Sequence, residues 1–146
     1  MSRYFGELAH VGIVVRDIRQ AMAELAATGV GPIYLMNQIA VPARYRGVRH
    51  DVRLSVAFAY SGPFLLEYIE QHDDAPSSYR DLLARSPEGG VHHMAYFSDD
   101  FAGTIAAATE KGARVSVVQE FFDEATGESY EIYLESLDTP TAPAIQ

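Results

Sequence analysis

The strongest constraint on this chain is an internal repeat. Shifted by 83 residues, His10-Val11-Gly12-Ile13-Val14-Val15-Arg16-Asp17-Ile18 lies on His93-Met94-Ala95-Tyr96-Phe97-Ser98-Asp99-Asp100-Phe101. The same shift lays Gly29 on Gly112, and Ile18, Met22 and Leu25 on Phe101, Ile105 and Ala108. Each copy reads as strand, acidic helix start, helix and glycine stop. Residues 11–15 are β-branched and short, as a strand requires. Asp17 and Asp100 are placed to accept hydrogen bonds from the free N–H groups of a first helical turn. The i, i+4, i+7 spacing of the apolar residues makes one buried stripe per helix. Gly29 and Gly112 suit the left-handed residue that ends a helix.

Strand-like segments follow each helix. They cover about 33–39, 51–60 and 64–70 in the first copy, and about 113–119 and 130–135 in the second. Ser61-Gly62-Pro63 and Thr126-Gly127-Glu128 are turns, residues 78–85 a short helix and Pro87-Glu88-Gly89-Gly90 a linker loop. The expected fold is α+β: two βαβββ modules forming a cupped mixed sheet, with the last strand of module two short or missing. Module one covers about 8–71 and module two about 90–146, in one domain over 1–146.

Composition narrows the chemistry. The chain has no cysteine, which removes disulfides, thiolate metal sites and cysteine nucleophiles. Twenty acidic against 11 basic residues give a charge of -9, unsuited to a nucleic-acid partner. No apolar run approaches the roughly 20 residues that span a bilayer, and no signal peptide is visible, so a cytoplasmic protein without a membrane partner is expected. No nucleophile elbow, phosphate loop or dinucleotide fingerprint is present.

Strand alternation places His10, Gly12 and Val14 on one face, with His93, Ala95 and Phe97 on the matching face of the second copy. Two modules related by a pseudo-twofold axis bring His10 and His93 together. Glu67 interrupts the apolar run Phe64-Leu65-Leu66-Glu67-Tyr68-Ile69, a costly place for a charge unless it is paired or bound to a metal. Two imidazoles and a carboxylate suit a divalent ion: zinc, iron, manganese, cobalt or nickel.

These residues resemble the vicinal oxygen chelate superfamily of glyoxalase I, methylmalonyl-CoA epimerase, extradiol dioxygenases and bleomycin-resistance proteins. The likeness lies in Ala9-His10-Val11-Gly12-Ile13-Val14-Val15, Leu66-Glu67-Tyr68-Ile69-Glu70 and Gly90-Val91-His92-His93-Met94-Ala95-Tyr96, and covers nearly the whole chain. It is nearest to the glyoxalase-like branch, with Ala43-Arg44-Tyr45-Arg46-Gly47 and Gln71-His72-Asp73-Asp74-Ala75-Pro76. The resemblance implies that His10, Glu67 and His93 are metal ligands, and that the last strand supplies a fourth. Position 150, where Glu67 plus the repeat shift would fall, lies beyond residue 146. A shorter loop brings Gln146 to that place; Glu131 and Glu135 lie on the preceding strand.

The function implied is a lyase or isomerase acting on a small oxygenated molecule through a metal-stabilised enediolate. Its general base would be a carboxylate near the metal, left unassigned. The alternatives are a non-catalytic small-molecule binder of the same fold and an iron(II) extradiol-type dioxygenase. Exposed sheet edges suggest a homodimer. His92 is expected to point away from His93, and His50 and His72 to be solvated. Arg44, Arg46 and Arg49 read as a solvated loop, with a grip on a substrate anion as the other reading. Tyr60, Tyr68, Tyr96, Phe97, Tyr130 and Tyr133 read mostly as core, with the lining of an apolar pocket as the other reading for some of them.

Overall fold

The computed structural model describes residues 2–146. β1 (His10–Val14) leads through α1 (Ile18–Ala27) to β2 (Ile33–Val41), β3 (Ala43–Tyr45), β4 (Val48–Arg49), β5 (Val52–Ser61) and β6 (Phe64–Gln71). After α2 (Ser78–Arg85) come β7 (Gly90–Ala95), α3 (Phe101–Glu110), β8 (Val115–Phe122), β9 (Ser129–Ser136) and β10 (Ala144–Ile145). Asp17 Oδ1 accepts from the N–H groups of Arg19 and Gln20 at 2.9 and 3.0 Å, and Asp100 Oδ1 from Gly103 at 2.9 Å. Gly29 and Gly112 take φ of +86° and +94° just past the helices, so both helix stops follow the repeat.

The strands form one curled mixed sheet in the order β2-β5-β6-β1-β7-β10-β9-β8-β3-β4. β1 and β7 meet antiparallel at its centre, with His10 opposite Ala95 and Gly12 opposite His93. Each repeated strand is parallel to the last strand of its own module: β1 to β6, and β7 to β10. This is the cupped arrangement of two βαβββ modules, and the last strand is present but only two residues long. Val14, Leu54, Val56, Ile69, Phe121 and Tyr133 pack in the cup with Tyr79 from α2.

The hairpin β3–β4 departs from expectation. It leaves module one and pairs antiparallel with β8, Ala43 opposite Phe121 and Tyr45 opposite Gln119. Its arginines look polar in sequence, but the backbone is tied into the sheet and acidic neighbours take the charges. Arg46 binds Glu135 at 3.0 Å, and Arg49 binds Asp51 at 3.1 Å and Glu124 at 2.6 Å. Arg44 lies over the Phe122 ring at 3.9 Å. The cluster is therefore a paired hairpin rather than a solvated loop, and none of its guanidinium groups lines the cup cavities.

Candidate metal centre

The central pair of strands carries both histidines into the cup, and β6, beside β1, brings Glu67 alongside Gly12. Glu67 Oε2 lies 3.4 Å from His10 Nε2 and 3.1 Å from His93 Nε2, and the two Nε2 atoms are 3.3 Å apart. His93 is fully buried and Glu67 nearly so. The three residues expected as ligands thus come together, as the one such group of acidic and imidazole side chains among the described residues.

Three observations test whether a cation fits. Glu67 Oε2 is buried without a well-directed hydrogen bond, although it faces two imidazole nitrogens. Donors about 2.1 Å from a shared ion stand about 3.0 Å apart at right angles and about 3.4 Å apart at tetrahedral angles, which brackets the observed spacings. The donor set, two nitrogens and one carboxylate oxygen, suits an intermediate divalent ion. A divalent ion fits these residues.

Gly12 makes the space for this arrangement. A Cβ there would stand 1.9 Å from His93 Cε1 and 2.3 Å from its Nε2. Burial raises the Glu67 pKa, but the adjacent His10 and His93 imidazoles outweigh it and hold the carboxyl down at about 2. Burial lowers the His93 pKa, and the neighbouring Glu67 only partly opposes this.

His92 corrects the sequence reading. Alternation would turn it away from His93, yet β1 and β7 shift register there: Gly12 pairs with His93 and Ile13 with Val91, leaving His92 as the extra residue of a bulge. Both side chains are therefore buried, and His92 Nδ1 lies 3.0 Å from His93 Nδ1. The His92 ring packs against Tyr79 and Tyr133, with centroids 4.8 and 5.5 Å away. Burial, reinforced by the charge of His93, pushes its pKa down to about 3. With its ring neutral, His92 Nδ1 can accept the Nδ1–H of His93, the tautomer that leaves the His93 Nε2 lone pair for the triad. The adjacent pair His92-His93 was the signal for this role, but a bulge is not visible in a strand pattern.

Gln146 stands where the repeat requires a partner for Glu67. Ala144 pairs with His93 as Leu65 pairs with His10, so two residues on, Gln146 corresponds to Glu67. The separation is 79 rather than 83 residues: the connection from β8 to β9 (123–128) is shorter than that from β2 to β5 (42–51), and the loop before β10 (137–143), though longer than that before β6 (62–63), restores only part of the difference. Its Nε2 donates to Tyr133 Oη at 3.0 Å. Tyr133 Oη in turn donates to Glu131 at 2.5 Å and lies 2.8 Å from Tyr79 Oη. Glu131, placed by the sequence only on the preceding strand, is a half-buried carboxylate. Burial raises its pKa first, and the charge of Glu67 adds to that against hydrogen bonds from Tyr133 and Gln146. Glu131, Glu67, His10 and Gln146 line a common cavity of about 240 Å³.

His72 is exposed, as expected, and is also held by partners: its Nε2 lies 2.7 Å from Ser55 Oγ and its Nδ1 3.4 Å from Glu70. Of the six aromatics, Tyr133 is buried, Tyr68 and Tyr96 are half-buried, and Tyr60, Phe97 and Tyr130 are exposed. Phe97 and Tyr130 sit at the cavity mouth, where no core covers them. No helix among the described residues is long and apolar enough to cross a membrane.

The family model of the glyoxalase/bleomycin resistance protein/dioxygenase superfamily matches residues 9–131, and the chain belongs to that superfamily. A variant of Streptomyces coelicolor methylmalonyl-CoA epimerase in complex with 2-nitronate-propionyl-CoA is similar in structure, with 19% identity, 97% of this chain and 94% of that chain covered, and a TM-score of 0.61. The Mycobacterium tuberculosis methylmalonyl-CoA epimerase is similar at 15% identity, covering 99% and 88%, with a TM-score of 0.59. A mutant 4-hydroxymandelate synthase from Streptomyces coelicolor is similar at 18% identity over 97% of this chain and 47% of that one, with a TM-score of 0.56. At these identities the likeness is one of fold. A search of curated proteins finds no match.

Proposed function

We propose that this member of the glyoxalase/bleomycin resistance/dioxygenase superfamily is a divalent-metal-dependent lyase or isomerase of a small oxygenated organic molecule. His10, Glu67 and His93 are its protein ligands. The observation that carries this reading is the buried, unsatisfied Glu67 Oε2 facing two imidazole nitrogens at the edge of a cavity. A bound ion supplies Lewis acidity toward vicinal oxygens of the substrate.

The chain's own groups do the rest. His92 holds His93 in the tautomer that presents Nε2. Glu131 is the candidate proton carrier: it takes a proton from the substrate carbon beside the oxygens and returns it, so an isomerisation consumes no proton overall. Tyr133 fixes the Glu131 carboxylate by donating to it, and Gln146 and Tyr79 fix Tyr133. Phe58, Phe97, Phe101 and Ile132 line the cavity and exclude water from the transfer.

Metal analysis tests the reading. Protein loaded with zinc should hold one ion per chain, and His10→Ala combined with His93→Ala should hold none. Unchanged metal content in that double variant would place the site elsewhere.

One observation favours a second chemistry. The acidic and imidazole side chains that come together are two histidines and one carboxylate, the donor set of iron(II) oxygenases. Oxygen uptake with a catechol and the iron-loaded protein would select it; turnover without oxygen would select the isomerase.

The proposal extends to one functional unit over 1–146, working in the cytoplasm as a homodimer. Tyr34 and Met36 are exposed on the edge strand β2, where a second copy would cover them. A monomeric mass at micromolar concentration would contradict the dimer.

A further inference from the structure

Beside Glu67 lies a second, half-open cavity of about 140 Å³. It shares Phe58, Glu67, Tyr130 and Glu131 with the outer cavity that holds His10 and Gln146. Beyond those four its wall is aliphatic and aromatic, with Met36, Ile39, Val41, Leu54, Val56 and Phe121. The two carboxylates stand where the cavities adjoin.

Size and chemistry together restrict what enters. A volume of about 150 Å³ accommodates one benzene ring. With Glu67 engaged by the metal, an anionic substituent would still stand against the carboxylate of Glu131, which electrostatics oppose. We propose that the inner cavity seats an uncharged apolar group the size of one phenyl ring, carried by the substrate whose vicinal oxygens meet the triad. The substrate class is thus a small aryl- or cycloalkyl-bearing hydroxy-carbonyl compound. This rests on His10, Glu67 and His93 being metal ligands.

Hydroxamates present two oxygens to a metal and serve as probes. With the zinc-loaded full chain, calorimetry should find benzohydroxamate at least tenfold tighter than acetohydroxamate, and 4-carboxybenzohydroxamate no tighter than acetohydroxamate. Ile39 is half-buried on the rim, so Ile39→Phe should fold, fill the cavity and abolish the phenyl advantage while acetohydroxamate binding stays unchanged. Equal affinity of the two simple hydroxamates, or a phenyl advantage that survives Ile39→Phe, would overturn the proposal. A second arm needs no metal. Benzene added to the metal-free protein should shift the NMR signals of the Ile39, Leu54 and Val56 methyls. No shift there overturns the cavity assignment, whereas a shift without zinc uptake overturns only the ligand reading.

Discussion

Replacing Gly12 by alanine is the most exacting perturbation of the centre, because it adds one methyl group and removes no ligand. The added Cβ would stand 1.9 Å from His93 Cε1, 2.3 Å from Nε2 and 2.4 Å from Nδ1, well inside van der Waals contact. Tyr133 and His92 wall His93 in, with ring centroids 5.1 and 5.3 Å away, and it is fully buried. Overpacking of this kind costs about 1–3 kcal/mol. At roughly 2–4 °C per kcal/mol for a chain of this size, the metal-free Tm should fall by about 2–12 °C. The displaced imidazole also leaves the triad, since zinc–nitrogen bonds tolerate only a few tenths of an ångström around 2.0–2.1 Å. Wild-type protein in zinc at 100 times Kd should gain about 2.7 kcal/mol, and Gly12→Ala should lose most of that gain. Calorimetric zinc titration and thermal melts with and without zinc read both effects. Wild-type zinc affinity in a Gly12→Ala protein that melts at the wild-type temperature would refute the packing argument.

Removing the metal from wild-type protein should lower Tm by about 5–11 °C relative to the zinc-saturated form at that same excess, measured by differential scanning calorimetry with a chelator. His92→Phe keeps a ring in the core but removes the acceptor for His93 Nδ1–H, so zinc should bind about 10–100-fold more weakly; His92→Asn, which restores a side-chain acceptor, should recover part of the affinity. In the metal-free protein His92 has its pKa lowered from 6.5 to about 3, so below pH 6.5 the unfolded chain takes up a proton that the folded chain refuses. Its contribution is complete above pH 6.5 and is lost as the pH falls toward 3, at up to about 1.4 kcal/mol per pH unit. Glu67, lowered from 4.5 to about 2, adds a loss in the same direction below pH 4.5. Urea unfolding between pH 8 and 4 should show this slope, and His92→Phe should flatten its upper part; a flat wild-type profile would contradict the buried neutral imidazole. Glu131→Gln should leave zinc binding within a few-fold of wild type while abolishing exchange of the substrate's carbon-bound proton with solvent deuterium, and retained exchange would assign the proton to another group.

Much of the architecture can be read from the repeat because its determinants are local. Asp17, Asp100, Gly29 and Gly112 start and stop helices through their own backbone neighbours. The meeting of His10 with His93 follows from symmetry, and Glu67 was visible as a charge inside an apolar strand. The features missed depend on pairing across the sheet. The β3–β4 hairpin gains its place from β8, some 70 residues away in the chain, and its arginines from acids that sequence order does not bring near. His92 is turned inward by a bulge set by how β7 meets β1. Glu131 looks like an ordinary charge on a half-exposed strand until Tyr133 and the cup enclose it. Gln146 is reached only once the register of β10 on β7 is known.

Crystals of the zinc-loaded chain, with data collected on both sides of the zinc absorption edge, test the central claim most directly. A single anomalous peak about 2.0–2.2 Å from His10 Nε2, Glu67 Oε2 and His93 Nε2 is expected. A fully loaded protein whose peak lies elsewhere, or touches fewer than all three atoms, would contradict it.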